Sequence, residues 1–407
     1  MTVSAIREDV DLQKVLAADR NDSVSIDTVS FDPPVGLTCA VDVFDRTELF
    51  DLIDNSRVAE LSSLGGRSGF SSHEAVRKST GISVRRILRP GVTVTHLAQA
   101  VFDKLERATG FAPGDFGAIF LCHSGTDPTA CEREATAIET AVGLPAGTLQ
   151  PFNHGCSGFL KLLHSGCLKL DADRTASPVA LVSIETPEVW HDAADRLFCG
   201  IVSAGATAVV LEAGRGLPVS VIHADNYRIP ADRRLNADPL FQRETTDVFC
   251  FRGQPCHRTV MRMNAEPVFL NGIELMLEQL REAVALLPDS PHQRRIAIPH
   301  QPSGKLLRAL IAAASNEFPT VEFLNNLDLY GNTISSTIPT VLARLPEVLQ
   351  ANDRPPLKDG DHLILLGAGI CMEEIETHMA AGFACIQWQT AACATNATTT
   401  AALRTQI

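Results

Sequence analysis

The sequence places a cysteine where its thiol could react as a nucleophile. Cys156 lies in "FNHGCSGFLKLLHSGC", between Gly155 and Gly158, where a polar turn gives way to an apolar helical run. A thiolate is the reactive form of cysteine, and the free N–H groups at the start of a helix stabilise its negative charge. A small buried cysteine that only fills space is the alternative interpretation. Cys156 is therefore a candidate nucleophile that needs partners elsewhere in the chain.

Two further polar residues follow apolar segments in the second half of the sequence. His300 comes directly after a predicted strand in "RRIAIPHQPSGK", and residues at strand ends in α/β folds often face a ligand crevice. Asn332 lies in "LDLYGNTISSTIP", between a glycine and the hydroxyl-rich start of a helix. Taken singly, a hydrogen-bonded turn histidine and an ordinary N-cap asparagine explain them.

The elements that must position these residues alternate along the chain. Apolar β-rich segments such as "GAIFLCHSGT" and "DHLILLGAGI" predict buried strands, and amphipathic segments between them predict helices. Each half repeats this alternation of strands and helices and ends in apolar strands, which predicts α/β layers with an internal duplication. We divide the chain into an N-terminal extension with the first strand (1–45), two α/β halves (46–214 and 215–390) and a tail (391–407).

Composition excludes several classes of function. The chain has 407 residues, of which 45% are hydrophobic and 20% charged, and its net charge is −13. An acidic chain is a poor candidate for binding nucleic acid or anionic membranes, which needs clustered Lys and Arg. Eleven cysteines occur without any C-x-x-C pair, so neither a zinc site nor a disulfide framework is predicted. Reduced thiols and a first segment without an apolar stretch predict a cytoplasmic protein.

The order Cys, His, Asn resembles the ketoacyl-ACP synthase III branch of the thiolase-fold condensing enzymes. The resemblance covers most of the chain and rests on ordered motifs. They are "VRKSTGISVRRI", "GCSGF", "DRLFCGIVSAGATAVVLE", "IPHQ", "YGNTISSTIP" and "LILLGAGI". It implies an α/β thiolase-like fold, with duplicated βαβαβαββ halves in a layered α/β/α/β/α arrangement.

The resemblance also implies roles for the matched residues. Cys156 would carry an acyl group taken from a thioester, and the backbone N–H groups of Cys156 and Ala368 would form an oxyanion hole. His300 and Asn332 would donate hydrogen bonds to the enolate formed when a malonyl thioester loses CO₂. The carbanion would then attack the acyl group and form a C–C bond, as expected for an acyltransferase of specialised polyketide or fatty-acid-like metabolism.

Substrate contacts follow from the same resemblance. His123 would line the pocket, and Lys305 or Arg308 in "HQPSGKLLR" would contact the carrier. Acyl-CoA or acyl carrier protein thioesters are the expected substrates, with no metal or other cofactor, and a homodimer is expected. Glu185 in "SIETPEVW" is interpreted as a supporting or pocket residue rather than a base.

Alternatives to condensation remain open from sequence. The same acyl-enzyme could pass its acyl group to an alcohol or amine without loss of CO₂. A catalytically silent subunit of a ketosynthase heterodimer is the alternative from another class. A dinucleotide site at "LILLGAGI" is disfavoured, because only 38 residues follow Gly369 and the motif lacks its third glycine and the following α/β unit. The ligand-type residues of "HDAAD" (191–195) are interpreted as a solvated helix face.

Overall fold

The computed structural model describes residues 28–66, 69–127, 129–235, 238–290 and 292–390. The predicted tail (391–407) and the first 27 residues of the predicted extension lie outside the described residues. The described part of the extension supplies strand β1, which the prediction assigned to 1–45.

A ten-stranded sheet contains most of the strands. Strands of the first half are β1 (Val29–Asp42), β4 (Ala118–Cys122), β5 (Leu149–Phe152), β6 (Val179–Glu185) and β7 (Gly205–Ala213). Strands of the second half are β8 (Leu217–Arg228), β11 (Arg295–Pro299), β12 (Val321–Phe323), β13 (His362–Ile370) and β14 (His378–Gln387). Two separate two-stranded sheets are β2 (Phe50–Asp54) with β3 (Val84–Leu88), and β9 (Phe241–Phe249) with β10 (Pro255–Met263).

The strand order makes the duplication visible. The sheet runs β12-β11-β13-β14-β8-β1-β7-β6-β4-β5. Within each half, the first strand is followed outward by the fifth, fourth, second and third strands of that half. The halves join where β1 pairs antiparallel with β8. The alternation of strands and helices in the sequence suggested a duplication, and the identical strand order of the two halves shows that duplication in the structure.

Helices form three layers around the two half-sheets. The helices are α1 (Asn55–Ser63), α2 (His73–Thr80), α3 (Val94–Thr109), α4 (Ala130–Val142), α5 (Gly158–Ala172), α6 (Ala265–Leu286), α7 (Gly304–Glu317), α8 (Leu327–Tyr330), α9 (Thr337–Ala343) and α10 (Leu345–Ala351). No helix in the described ranges is both long and apolar enough to span a bilayer.

Helix α5, which follows Cys156, lies in the central layer. Most of its apolar residues are buried, while Leu168 near its C-terminal end is 41% exposed, so the helix begins in the interior and ends at the surface. Leu160 and Leu163 pack with α9 and with strands of both halves in one cluster. Helices α3 and α4 cover the outer face of the first half, and α6 and α7 cover that of the second. These layers confirm the predicted α/β/α/β/α arrangement.

One predicted element is wrong. The sequence "CGIVSAGATAVVLEAG" (Cys199 to Gly214) predicts two strands with a bend at the small residues between them, but only β7 is a strand. The preceding residues form turns, with the N–H groups of Ile201 and Val202 both donating to the Phe198 carbonyl. Ser203 then donates its N–H to the Asn332 carbonyl at 2.9 Å. The segment therefore docks on the second half of the chain instead of forming another strand of the sheet.

Candidate active site

Cys156 lies in a single 3₁₀ turn, Gly155–Ser157, directly before the central helix α5. Gly155 has φ +73°, a conformation that L side chains rarely adopt. A Cβ atom at Gly155 would lie 2.3 Å from Cγ2 of Ile370. Glycine at this position therefore lets the turn approach the end of β13 closely, with the Cys156 side chain partly buried between them.

Some groups around the Cys156 thiol raise its pKa and others lower it. Burial raises its pKa to about 12, and the nearby Glu185 carboxylate also raises the pKa. The backbone N–H of Ile370 and that of Cys156 itself lower the pKa by hydrogen bonding to the sulfur. The resting residue is thus a neutral thiol whose sulfur already faces two backbone donors.

The predicted oxyanion-hole donor on β13, Ala368, is a different residue from Ile370, whose N–H reaches the resting sulfur. Ala368 pairs with Ala381 inside the sheet, two residues before the Ile370 N–H that reaches the sulfur. Between them, Gly369 lies against the nucleophile, since a Cβ atom there would be 2.9 Å from the Cys156 sulfur.

His300 immediately follows β11, as predicted, and its ring is completely buried. Its backbone N–H donates to the Leu366 carbonyl at 2.6 Å, which holds the residue against β13. Within the described ranges, neither ring nitrogen has a hydrogen-bond partner. Burial lowers the pKa to about 3, opposed by the backbone of Ile334. The imidazole is therefore neutral at physiological pH, with an N–H on one of its two ring nitrogens.

Asn332 is fixed by both its backbone and its side chain. Its N–H donates to the Ile201 carbonyl at 3.0 Å, so the turn after α8 is docked on the first half of the chain. The side-chain oxygen accepts the Ile334 N–H at 2.9 Å, and the side-chain NH₂ donates to the Pro302 carbonyl at 3.4 Å. The cap interpretation is thus correct for the oxygen, while one N–H of the amide stays available.

The three predicted residues converge on Ile334. The Ile334 backbone contacts both the His300 ring and the Asn332 side chain. Its side chain belongs to the same apolar cluster as Cys156 and Ile370, and the Cys156 turn contacts the turn that contains Ile334. The arrangement places one nucleophile beside two neutral donors in a largely apolar site.

The predicted substrate contacts lie in different places. His123 is buried, and its Nδ1 contacts the Ile184 carbonyl at 2.8 Å. Burial also lowers the pKa of His123. The Lys305 ammonium lies 5.9 Å from the centre of the Phe269 ring.

Arg308 is exposed and lies at an open cleft of about 740 Å³ beside Arg77, Lys78 and Gly81. Its guanidinium donates to the Lys78 carbonyl at 3.3 Å. Lys305 is not among the residues that line this cleft.

A protein-family comparison and a comparison with curated sequences both find similarity to 3-oxoacyl-(acyl-carrier-protein) synthase III. Residues 290–373 match the family described as 3-Oxoacyl-[acyl-carrier-protein (ACP)] synthase III C terminal, a segment that contains His300 and Asn332. The curated β-ketoacyl-[acyl-carrier-protein] synthase III of Rhizorhabdus wittichii is 28% identical over 301 residues, covering 74% of this chain and 88% of the relative.

Solved structures show the same fold. The 3-oxoacyl-(acyl carrier protein) synthase III of Pseudomonas aeruginosa superposes with a TM-score of 0.65 at 19% identity, covering 87% of this chain and 98% of that one. The priming β-ketosynthase of a polyketide biosynthetic pathway superposes with a TM-score of 0.63 at 17% identity, covering 88% and 96%. The thiolase-like fold predicted from sequence is therefore confirmed.

Proposed function

This chain is ketoacyl-ACP synthase III-like, and on that premise we propose that it is a condensing enzyme. It loads an acyl group on Cys156 and joins it to a malonyl-type thioester with loss of CO₂. The observation that supports this best is the pair of neutral donors, His300 and Asn332, beside the nucleophile turn. Two fixed donors suit an enolate oxygen, which is the anion that decarboxylation produces.

In the first half-reaction, the Cys156 sulfur attacks the carbonyl carbon of an acyl thioester. The C–S bond to the departing CoA or carrier thiol breaks, and the Cys156 proton leaves with that thiol. The N–H groups of Cys156 and Ile370 would stabilise the oxyanion of the tetrahedral intermediate, because both already point at the sulfur region. We therefore assign the second donor to Ile370 rather than Ala368.

In the second half-reaction, the malonyl thioester carbonyl lies between the His300 ring and the Asn332 amide. Its carboxylate leaves as CO₂, and the electron pair forms an enolate that both N–H groups stabilise. Each such donor contributes roughly 3 kcal/mol. The enolate carbon then attacks the acyl carbon on Cys156, the C–S bond breaks, and the sulfur regains a proton. All these steps use side chains and backbone groups of this chain, without a further cofactor.

The molecular partners are inferred from the same chemistry. Acyl-CoA or acyl carrier protein thioesters would be the substrates, in polyketide or fatty-acid-like metabolism. A homodimer is supported by β5, which forms one end of the ten-stranded sheet and offers an unpaired edge. A reducing cytoplasm is supported by the ten cysteines of the described ranges, all of which are free thiols.

Acyl transfer to an alcohol or amine is the second candidate. That reaction needs a base to deprotonate the acceptor, and a buried histidine with a pKa of about 3 is a weak base. A neutral His300 imidazole suits the donation of a hydrogen bond to an enolate oxygen instead. A silent accessory subunit has no use for a nucleophile placed between two backbone donors, so condensation is the function that the geometry supports best.

The test separates the two half-reactions. The protein is incubated with a panel of acyl-CoAs, and the intact mass is measured, followed by addition of malonyl thioester labelled in its free carboxylate. We expect an acyl adduct in wild type and in Cys167→Ala, but none in Cys156→Ala, and labelled CO₂ with the malonyl donor. Cys167 is a fair control because it is a buried cysteine on helix α5, which follows the Cys156 turn. The absence of any adduct on wild type contradicts both enzymatic functions, and transfer without CO₂ contradicts condensation.

A further inference from the structure

A buried carboxylate lies beneath the catalytic turns without touching the nucleophile. Glu185 is the last residue of β6 and is completely buried. Ser124 donates its N–H to one carboxylate oxygen at 3.2 Å and its hydroxyl to the other at 2.9 Å. Ser335 donates both its hydroxyl and, at 3.4 Å, its N–H to that second oxygen. Four donors from two distant segments thus meet on one side chain.

On one side, this carboxylate holds the turn that orients Asn332. Ser335 directly follows Ile334, whose φ of +53° lies in the left-handed region. A β-branched residue in that region is strained and persists only when its neighbours hold it there. Asn332 holds the Ile334 N–H from one side, and Glu185 holds Ser335 from the other.

On the other side, the same contacts reach the base of the nucleophile helix. Cys122 and Ser335 both pack on Gly158, the first residue of α5. A Cβ atom at Gly158 would lie 2.4 Å from the Cys122 sulfur and 3.0 Å from the Ser335 Cβ. Ser124 lies two residues after Cys122, at the end of β4. Glu185 therefore connects the end of β4 to the Asn332 turn at the point where both face α5.

We propose that Glu185 is a positioning residue, which holds the Asn332–Ile334–Ser335 turn in the conformation that decarboxylation requires. It acts through Ser335 and Ile334 and does not exchange protons with the substrate. This inference rests on the proposed condensation, and it assigns to Glu185 an effect on the second half-reaction rather than the first.

A role in activating the thiol is disfavoured by charge. Burial raises the pKa of Glu185 to about 7, and in its ionised form the carboxylate raises the pKa values of Cys122, Cys131 and Cys156. A negative charge at this place opposes thiolate formation, so it does not serve acyl loading. The four hydrogen bonds that the Glu185 carboxylate accepts therefore explain why a carboxylate lies in this site.

The first experiment compares the half-reactions in Glu185→Gln. A glutamine amide offers one acceptor oxygen to the four donors, so the turn loses part of its support. We expect the rate of CO₂ release from malonyl thioester by acylated enzyme to fall at least about tenfold, since small displacements of catalytic groups are costly. Acyl loading of Cys156 should stay within about threefold of wild type.

The matched control is Glu139→Gln. Glu139 is also a buried glutamate whose carboxylate accepts backbone N–H groups, from Gly147 at 3.0 Å and Leu149 at 2.7 Å, and none of these residues belongs to the catalytic turns. It should leave the ratio of the two half-reactions unchanged. Ser335→Ala removes only one of the four donors. It should shift the ratio of the two half-reaction rates in the same direction as Glu185→Gln, but less. This variant therefore tests the proposal even if Glu185→Gln does not fold.

The second experiment does not depend on activity. Hydrogen exchange followed by mass spectrometry should show faster exchange for the peptide spanning 331–337 in Glu185→Gln, and no change there in Glu139→Gln. If wild type releases no CO₂, the proposed condensation fails, and this exchange result still decides whether Glu185 holds the turn. Equal loss of both half-reactions, or unchanged exchange at 331–337, would overturn the proposal.

Discussion

The side-chain oxygen of Asn332 accepts a hydrogen bond of 2.9 Å from the backbone N–H of Ile334. This bond decides which end of the amide is free. Because the oxygen is occupied, the NH₂ group is the part that can meet a substrate, and one of its hydrogens is directed to the Pro302 carbonyl. An asparagine held in this way is a donor and not an acceptor for the substrate.

Asn332→Asp should therefore abolish the second half-reaction and spare the first. Aspartate keeps an oxygen for the Ile334 N–H but loses the donor and adds a charge that repels the enolate. We expect CO₂ release to fall by at least about 100-fold, the effect of losing one donor to a developing oxyanion. Intact mass after exposure to acyl-CoA should still show the adduct on Cys156.

The control for this substitution is Asn352→Asp. The Asn352 side-chain oxygen accepts the Asn325 N–H at 3.2 Å and its NH₂ group donates to the Val348 carbonyl at 2.7 Å, the same kind of contacts outside the catalytic turns. Both half-reactions should keep their wild-type rates in this variant. Retained CO₂ release in Asn332→Asp would show that Asn332 is not a donor to the enolate.

Gly369→Ala should block acyl loading. The new Cβ atom would lie 2.5 Å from the Cβ and 2.9 Å from the sulfur of Cys156. At these distances either β13 or the Cys156 turn has to move. We expect the rate of adduct formation on Cys156 to fall by at least about tenfold, because the sulfur and its two backbone donors are displaced together. Stopped samples analysed by intact mass measure this rate.

Gly272→Ala is the matched glycine control. Gly272 is buried in α6, and its nearest neighbour would be the Met379 side chain at 3.6 Å from the new Cβ, an ordinary contact. Alanine is the better helix former by up to about 1 kcal/mol, so loading should be unchanged and the melting temperature equal or higher. Normal loading in Gly369→Ala would argue against the close contact with Cys156.

The sequence predicted the residues whose function depends on local context. Cys156, His300 and Asn332 each lie in a turn next to an apolar element, and those turns are where the structure places them. Burial of most of α5 could also be predicted, because apolar and small residues predominate in it. These are properties that adjacent residues determine.

Residues that act across long sequence distances could not be predicted. The Ile370 N–H reaches the Cys156 sulfur because the turn at Gly155 docks against the end of β13, which belongs to the other half of the chain. Glu185 meets Ser335 over a separation of 150 residues and Ser124 over 61. No local pattern around Glu185 indicates either contact.

The interpretation of "HDAAD" as a solvated helix face was wrong for the same reason. Asp192 and Asp195 are buried, and Arg262 on β10 approaches them at 3.1 and 3.2 Å. His191 is buried as well, with its ring 4.1 Å from that of Phe198. A partner about 70 residues later compensates the two charges, which the sequence alone does not show.

Arg308→Glu should weaken the use of an acidic carrier protein. Arg308 is exposed at the cleft that Lys78, Arg77 and Asp328 also line. Asp328 forms an ion pair with Arg77, so the net positive charge that can attract a negatively charged partner comes from Lys78 and Arg308. We expect the KM for malonyl carrier protein to rise several-fold, with a smaller effect at high salt, while the maximal rate is retained. Arg215→Glu, at another exposed arginine that pairs with Glu212, should leave the KM unchanged. An unchanged KM in Arg308→Glu would place the carrier elsewhere.

His300 should make the protein less stable as the pH falls, and the sign follows from its pKa. Burial lowers the folded-state pKa from 6.5 to about 3, so below about pH 6.5 the unfolded chain takes up a proton that the folded chain does not. The contribution of His300 to the free energy of unfolding is complete above about pH 6.5. It is lost by about 1.4 kcal/mol per pH unit as the pH falls toward 3.

The measurement is urea unfolding of wild type and His300→Gln at several pH values. Glutamine does not titrate, so the free energy of unfolding of wild type relative to the variant should fall by about 2 kcal/mol between about pH 6.5 and 5. Between about pH 7.5 and 9 the difference should be constant, because His300 is neutral in both states. A difference that is constant across the whole range would mean that His300 is accessible to protons in the folded protein. The neutral donor assigned to the enolate would then be a charged one at low pH, and CO₂ release would change with pH near 6.5 instead of staying level.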